Sequence, residues 1–220
     1  MAIAPRPSLN KPEQHLVLDG VTFRQFVAVT DALGERSGLR TSFDGQRLEF
    51  MTLSRRHEQW KRLLGRMIEE ITYRQGLPLQ SGGQTTFRSE SAESGLEPDE
   101  CYWIQHADAL RGVHDWDPSL HPPPDLAVEI DVSHSRVDRK DIYARLGVDE
   151  LWLYDGRKLT AWKLLPTGYE RISQSIAFPF LAVEDLRPFL EAADVEDENS
   201  IRRRFLEWLH PRTSPSPPAS

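Results

Sequence analysis

Acidic residues interrupt the most apolar stretch of the chain, residues 125–132, which reads Asp-Leu-Ala-Val-Glu-Ile-Asp-Val. Successive side chains of a β-strand point to opposite faces, so Asp125, Glu129 and Asp131 share one face of the predicted strand. A carboxylate in an apolar environment has to be paired, protonated or bound to a cation. The pattern therefore indicates a cation site on this face. The alternative is a face that reaches solvent or pairs with arginine side chains.

A second acidic segment, Glu97-Pro98-Asp99-Glu100, lies directly before another predicted strand at residues 100–104. The proline ring fixes a backbone dihedral angle, which restricts the direction that the Asp99 side chain takes. A Pro-Asp pair by itself is common in turns. Its combination with Glu129, in the next acidic and apolar strand, favours a site built from two carboxylates.

Hydrophobic periodicity and capping residues predict the elements that position these groups. Helices are expected at residues 23–33, 55–75 and 137–146 and across Ile201 to Leu209. Strands are expected at residues 39–43, 47–51, 77–80, 85–88, 100–104, 125–132, 150–155, 158–165 and 169–174. This order predicts an α/β fold of the mixed α+β kind, in which helices flank a central mixed β-sheet.

The 220 residues are 39% hydrophobic and carry a net charge of −7. This length predicts one domain, which we place at residues 15–209 between proline-containing disordered tails at 1–14 and 210–220. The negative charge excludes nucleic-acid binding by net charge alone, so DNA contact would need clustered arginines or a metal ion. Cys101 is the only cysteine, which excludes a disulfide framework and cysteine-based zinc sites. The sequence shows no signal peptide or membrane span, so we expect a cytoplasmic protein.

Five segments of the chain, taken together and in this order, form a specific pattern: EFMTLSRRHEQWKRLLGRMIEEI (49–71), GLEPDECYWIQ (95–105), PPPDLAVEIDVSHSR (122–136), DIYARLGVDELWLYDG (141–156) and IAFPFL (176–181). With these segments the chain resembles the PD-(D/E)XK nuclease superfamily, and more closely a large bacterial family of restriction-endonuclease-like proteins. The resemblance covers about residues 19–209. It implies a restriction-endonuclease-like fold and a metal-dependent phosphodiesterase site on the central sheet.

The resemblance also implies which residues act. By position, Asp99 matches the first metal-binding aspartate of the superfamily and Glu129 matches its second acidic ligand. Glu49 matches a further acidic position that is often present at such sites. The implied ion is Mg²⁺ or Mn²⁺. Mg²⁺ prefers hard oxygen ligands and is commonly held by one or two carboxylates together with substrate phosphate. Such an ion activates the attacking water and stabilises charge at phosphorus.

The chain departs from the superfamily pattern at the lysine. That pattern has a lysine two residues after Glu129, where this sequence has Asp131. Relatives commonly take the lysine from the following helix, which makes Lys140 the first candidate and leaves Arg136 and Arg139 as alternatives. Asp131 is then either a third metal ligand or the partner of an arginine.

The first functional hypothesis is a Mg²⁺-dependent DNA endonuclease that hydrolyses phosphodiester bonds with a metal-activated water. Cutting both strands of a duplex requires two active sites, so a homodimer is expected. The alternatives are a catalytically inactive DNA-binding or interaction module of the same fold, and a metal hydrolase of small phosphoesters. His57 lies at a helix start where amides could meet a phosphate. Two basic runs would form a phosphate track if they flank the acidic strand: Arg55, Arg56, Lys61, Arg62 and Arg66, and then Arg136, Arg139, Lys140 and Arg145.

Overall fold

A computed structural model of the chain describes residues 13–34, 38–83 and 85–213. Within these ranges the helices are α1 (Phe23–Leu33), α2 (Arg55–Gln75), α3 (Arg139–Leu146), α4 (Arg187–Glu191) and α5 (Glu198–Thr213). The strands are β1 (His15–Asp19), β2 (Leu39–Phe43), β3 (Arg47–Thr52), β4 (Gln80–Ser81), β5 (Phe87–Ser89), β6 (Ser94–Leu96), β7 (Glu100–Trp103), β8 (Leu126–Ile130), β9 (Glu150–Tyr154), β10 (Leu159–Leu165) and β11 (Gly168–Ile172).

The larger sheet has six strands in the order β11-β10-β9-β8-β7-β4. Strands β8 and β9 run parallel, while the other neighbouring strands run antiparallel. The connection from β8 to β9 passes through α3, as a parallel crossover requires. The prediction of a central mixed sheet flanked by helices is therefore confirmed.

A second sheet of five antiparallel strands, in the order β1-β3-β2-β6-β5, was not separated from the first by the sequence patterns. Strands β1 and β6 had no predicted counterpart. β6 is only three residues long and contains Gly95. A Cβ atom at that position would lie 2.7 Å from both the Phe26 ring and the carbonyl oxygen of Phe87. Close packing, rather than strand propensity, therefore selects this glycine.

Helix α2 packs across the larger sheet and supplies much of the main core. The Ser54 side chain caps its first turn by accepting a hydrogen bond from the backbone N–H of His57, and Gly76 ends it in the left-handed conformation. Its apolar side chains pack against one face of the sheet. The resulting core cluster includes Trp60, Leu64, Ile68, Val128, Ile130 and Tyr154. The predicted helix and both of its end signals are confirmed.

Strand β8 is buried on both faces. Val128 and Ile130 belong to the cluster under α2, whereas Ala127 belongs to a separate cluster with Tyr143 of α3. Because strand side chains alternate, Glu129 lies on the α3 side of the sheet. The acidic strand is thus not a solvated face, and its glutamate has to find partners inside the protein.

The predicted tails fall largely outside the described residues, since 1–12 and 214–220 are not among them. Helix α5 continues to Thr213, past the predicted boundary at 209. The predicted first tail is wrong at Glu13, whose side chain is largely shielded from solvent and makes the contacts described below. In the described part of the chain, every helix is too short or too polar to cross a bilayer.

The buried carboxylate of Glu150 provides a test of the fold that is independent of function. One of its oxygens accepts a hydrogen bond from Trp152 Nε1 at 2.6 Å, and the other accepts from Ser175 Oγ and from the N–H groups of Ile176 and Ala177. We expect Glu150→Gln to lower the free energy of unfolding by about 2 to 3 kcal/mol, because the amide nitrogen would face a donor. Urea denaturation measures this difference.

The control is Glu170→Gln on the exposed part of β11, for which we expect a change within about 0.5 kcal/mol. Equal stability of the two variants would contradict an anchoring role for Glu150.

Candidate active site

Asp99 and Glu129, the predicted acidic pair, lie side by side in the larger sheet. Asp99 directly precedes β7, which pairs antiparallel with β8, and Glu100 lies opposite Val128. Asp99 Oδ2 accepts a hydrogen bond from the backbone N–H of Ile130 at 2.8 Å. Both carboxylates are fully buried. Two acids that are 30 positions apart in sequence therefore converge on one point of the fold.

Helix α3 supplies the groups that contact Glu129. Arg139 Nη2 lies 2.8 Å from Glu129 Oε1 and also donates to the carbonyl oxygen of Glu97 at 3.0 Å. The Tyr143 hydroxyl donates to the same Oε1 atom. The second oxygen, Oε2, is buried and has no hydrogen-bond partner among the described residues. Glu129 thus keeps one acceptor atom for which the described residues supply no donor.

A histidine from α2 contacts Asp99 on its other side. His57 Nε2 lies 2.8 Å from Asp99 Oδ1, and His57 Nδ1 lies 3.0 Å from Glu13 Oε1. Arg40 of β2 brings its Nε atom to 3.6 Å from the same Asp99 oxygen. His57 is fully buried and stands between two carboxylates. The first turn of α2 therefore serves as a support for Asp99.

Polar contacts continue from Glu13 to Glu49. The Ser133 hydroxyl donates to Glu13 Oε2, and His15 Nε2 lies 2.7 Å from Ser133 Oγ. The other ring nitrogen of His15 lies 2.9 Å from Glu49 Oε1, which also accepts from the N–H of Arg136 at 2.8 Å. Glu49 is thus linked to the central pair through side chains and holds the loop after β8.

The charges of these groups depend on one another. Burial alone would lower the pKa of His57, but the Asp99 and Glu13 carboxylates raise it to about 9. Burial opposes ionisation of Asp99 as well, yet His57 and nearby Arg139 hold the pKa of that carboxyl below its usual value. Burial raises the pKa of Glu129, and the neighbouring Asp99 adds to the increase against the opposing effect of Arg139. Asp99 is therefore the ionised member of the pair, and Glu129 is the member that ionises with difficulty.

Two predicted site residues have their described contacts elsewhere. The Lys140 ammonium lies 3.9 Å from the centre of the Trp162 ring, where it makes a cation–π contact. Asp131 accepts a hydrogen bond from the N–H of Ser135 at 3.0 Å and so closes the turn that follows β8. Arg139, which the sequence left as an alternative, is the basic residue that contacts Glu129.

Three of the five residues in the first basic run make ion pairs within the protein. Arg56 pairs with Asp194, and Arg66 pairs with Glu198. Lys61 is buried and lies 3.4 Å from Glu58 of the same helix. The pairs with Asp194 and Glu198 attach α2 to the C-terminal part of the chain. The charges of these three residues are therefore balanced within the protein, although the sequence suggested them as phosphate contacts.

Sequence reasoning missed Arg40, Glu13, His15 and Tyr143 as site residues. Arg40 and His15 lie in five-residue strands, and no local sequence signal marks them as shielded from solvent. Tyr143 offered a weak signal, because it lies one helical turn after Arg139 and so shares its face of α3. Their roles follow from pairings between segments that are far apart in sequence.

The donor set is compatible with a divalent ion that takes most of its ligands from water and substrate. No group of three or more His, Cys, Asp or Glu side chains in the described ranges is arranged to hold a metal. Mg²⁺, however, is usually held by only one or two carboxylates, with waters and phosphate oxygens completing its shell. Asp99 and Glu129, whose Oε2 atom has no partner among the described residues, would supply such a pair.

Comparisons with known proteins bear on the fold and the family of the chain. No curated protein matches the chain. A solved structure from Anabaena variabilis ATCC 29413, described as a putative nuclease belonging to DUF820, shares 15% identity and superposes with a TM-score of 0.53. The similarity covers 77% of this chain and 99% of the other chain. At this identity it shows the fold, which is that of the restriction-endonuclease-like proteins.

The sequence itself matches a family model over residues 24–193. This range includes β7, β8 and α3, and with them Asp99, Glu129 and Arg139. The chain therefore belongs to the Uma2 family, whose description is "Putative restriction endonuclease".

Proposed function

We propose that this protein is a divalent-metal-dependent DNA endonuclease. The observation that carries the proposal is the convergence of Asp99 with Glu129, whose Oε2 atom is a buried acceptor without a partner in the described structure. These two carboxylates would hold Mg²⁺ or Mn²⁺, with Asp131 in the turn after β8 as a further ligand and Glu49 of β3 linked to the pair through side chains. When bound, such an ion supplies Lewis acidity and lowers the pKa of a water ligand.

DNA is the proposed substrate because of the family description and the nuclease description of the structural neighbour. A net charge of −7 opposes the approach of a polyanion. The cationic side chains of Arg139, Arg40 and His57 lie around the acidic pair, so the buried carboxylates themselves add little to this repulsion.

Arg139 is the residue we propose in place of the superfamily lysine. Its guanidinium is held between Glu129 and the carbonyl oxygen of Glu97. An arginine stays protonated, so it cannot remove a proton from water, but it can stabilise negative charge through several donors. Arg139 would therefore orient Glu129 and balance charge that develops on phosphate.

A second candidate function is a nuclease-fold module that binds DNA without cutting it. One observation favours it: both oxygens of Asp99 already have donors, from His57 and from the N–H of Ile130. The carboxylates are thus neutralised by the protein itself, so the site is stable without catalysis.

Plasmid cleavage distinguishes the two functions. With Mg²⁺ or Mn²⁺, we expect the wild-type protein to convert supercoiled plasmid to nicked or linear forms. We expect Asp99→Asn and Glu129→Gln to reduce the rate by about 100-fold or more, because each removes a charged ion ligand. Glu170→Gln, on the exposed face of β11, is the matched control and should cleave at the wild-type rate.

Intact plasmid with a folded wild-type protein, together with Mn²⁺ binding in calorimetry, would favour the non-catalytic module. Intact plasmid without any ion binding would count against a metal-dependent enzyme altogether.

Neighbouring residues of α3 allow a direct test of the basic group. We expect Arg139→Met to lower the cleavage rate by about 100-fold, because it removes a charge from the buried pair. Lys140→Met removes only the contact with Trp162 and should stay within about twofold of wild type. Rates are measured on the same plasmid at equal protein concentration. A larger loss of cleavage rate for Lys140→Met than for Arg139→Met would identify Lys140, and not Arg139, as the basic residue of the site.

Two finer parts of the proposal concern assembly and location. Cleavage of both strands calls for two active sites, so we propose a homodimer, which light scattering during gel filtration tests. A cytoplasmic location follows from DNA as the substrate, and fractionation of cells expressing the tagged full chain tests it.

A further inference from the structure

We infer that the His57 imidazole occupies the place on Asp99 that a divalent cation needs, so that the histidine contact and the ion exclude each other. This inference rests on the proposed function, because it concerns the same pair of carboxylates. It makes His57 a positioning residue that sets how tightly the site takes an ion.

The two oxygens of Asp99 differ in the kind of donor that contacts them. Oδ2 accepts from the backbone N–H of Ile130 at 2.8 Å, in the middle of the sheet. Oδ1 accepts from His57 Nε2 at 2.8 Å. Backbone at the end of β8 cannot withdraw without breaking the sheet, whereas a side chain can rotate. Arg40 Nε also faces Oδ1, at 3.6 Å, but His57 makes the shorter contact. An ion that takes Oδ1 as a ligand would therefore compete first with His57.

Glu13 holds His57 in place on the side of the ring that faces away from Asp99. Its Nδ1 atom lies 3.0 Å from Glu13 Oε1, and Glu13 in turn accepts hydrogen bonds from the hydroxyls of Ser54 and Ser133. The ring is fully buried, so each of its nitrogens depends on a carboxylate rather than on water. Displacing the ring from Asp99 therefore breaks a hydrogen bond to a charged group in a dry environment, and such bonds are among the stronger ones.

This arrangement has a direct consequence for affinity. The free energy that binds His57 to Asp99 stabilises the metal-free protein and is lost when an ion enters. Ion binding is weakened by the same amount, because binding and stability are linked. A variant that lacks the Nε2 donor should thus bind the ion more tightly, even though the ring touches no other proposed ion ligand directly.

Two substitutions separate the nitrogens of the ring. The amide of asparagine falls close to the position of Nδ1, so His57→Asn keeps a group near Glu13 and loses the donor to Asp99. The amide of glutamine reaches the position of Nε2, so His57→Gln keeps a donor to Asp99. Calorimetric titration with Mn²⁺ measures the dissociation constant of each folded variant. We expect it to fall about tenfold for His57→Asn and to stay within about threefold of wild type for His57→Gln.

Thermal unfolding gives a readout that needs no catalysis. Without metal, His57→Asn should melt below the wild-type protein, because Asp99 loses a buried partner. Saturating Mn²⁺ should raise its melting temperature by more than it raises that of wild type. Should His57→Asn fail to fold, Glu13→Gln serves instead. This substitution weakens the contact between residue 13 and His57 Nδ1, so the ring leaves Asp99 more easily. We expect an increase in Mn²⁺ affinity of about threefold.

Equal or weaker Mn²⁺ binding by His57→Asn would overturn the inference, and so would equal gains for the asparagine and glutamine variants. The failure of all variants to bind Mn²⁺ would overturn it as well. The proposed nuclease function is judged separately, by whether the wild-type protein cleaves plasmid in Mg²⁺ or Mn²⁺.

Discussion

Two carboxyl groups buried next to each other are the constraint around which this protein is built. Asp99 and Glu129 are both shielded from water, and in an environment of low polarity their repulsion would be large. Cationic groups from three different elements reduce it: Arg40 from β2, His57 from α2 and Arg139 from α3. Each element is therefore tied to the sheet by charge as well as by apolar packing, and the site cannot be changed without affecting the fold.

The acidic pair could be predicted from the sequence because both of its signals are local. A carboxylate in an apolar strand has few acceptable environments, and Pro98 marks the start of the adjacent strand. The basic partner could not be assigned in this way. Adjacent residues on a helix point about 100° apart, so an error of one position exchanges Arg139 at Glu129 for Lys140 at Trp162. The presence of α3 could be predicted from the sequence. Which of its residues faces β8 could not, because that depends on how the helix packs against the strand.

The contacts that Glu13 and His15 make near the site could not be predicted from the sequence, for a different reason. Glu13 and His15 act through contacts with His57, Ser133 and Glu49, which are between 34 and 120 positions away. Strand β1 itself is defined by its pairing with β3. Residues 10–14, directly before His15, are polar or proline, so the sequence places the tail boundary between Glu13 and His15 and misses the contacts of Glu13. Local propensity sets most of the helices and the hairpin, whereas long-range pairing decides which polar residues become buried.

The ion pairs of α2 fall into two classes that respond differently to dissolved salt. Arg56 with Asp194 and Arg66 with Glu198 lie at the surface, with roughly two fifths or more of each side chain accessible to solvent. Ions in solution screen such pairs over about 10 Å at 0.1 M, while contacts sealed from water keep most of their strength. Concentrated salt would therefore weaken these two surface pairs and leave the central charge network intact, while the apolar packing of Ile201, Phe205 and Leu209 would still hold α5 against the core.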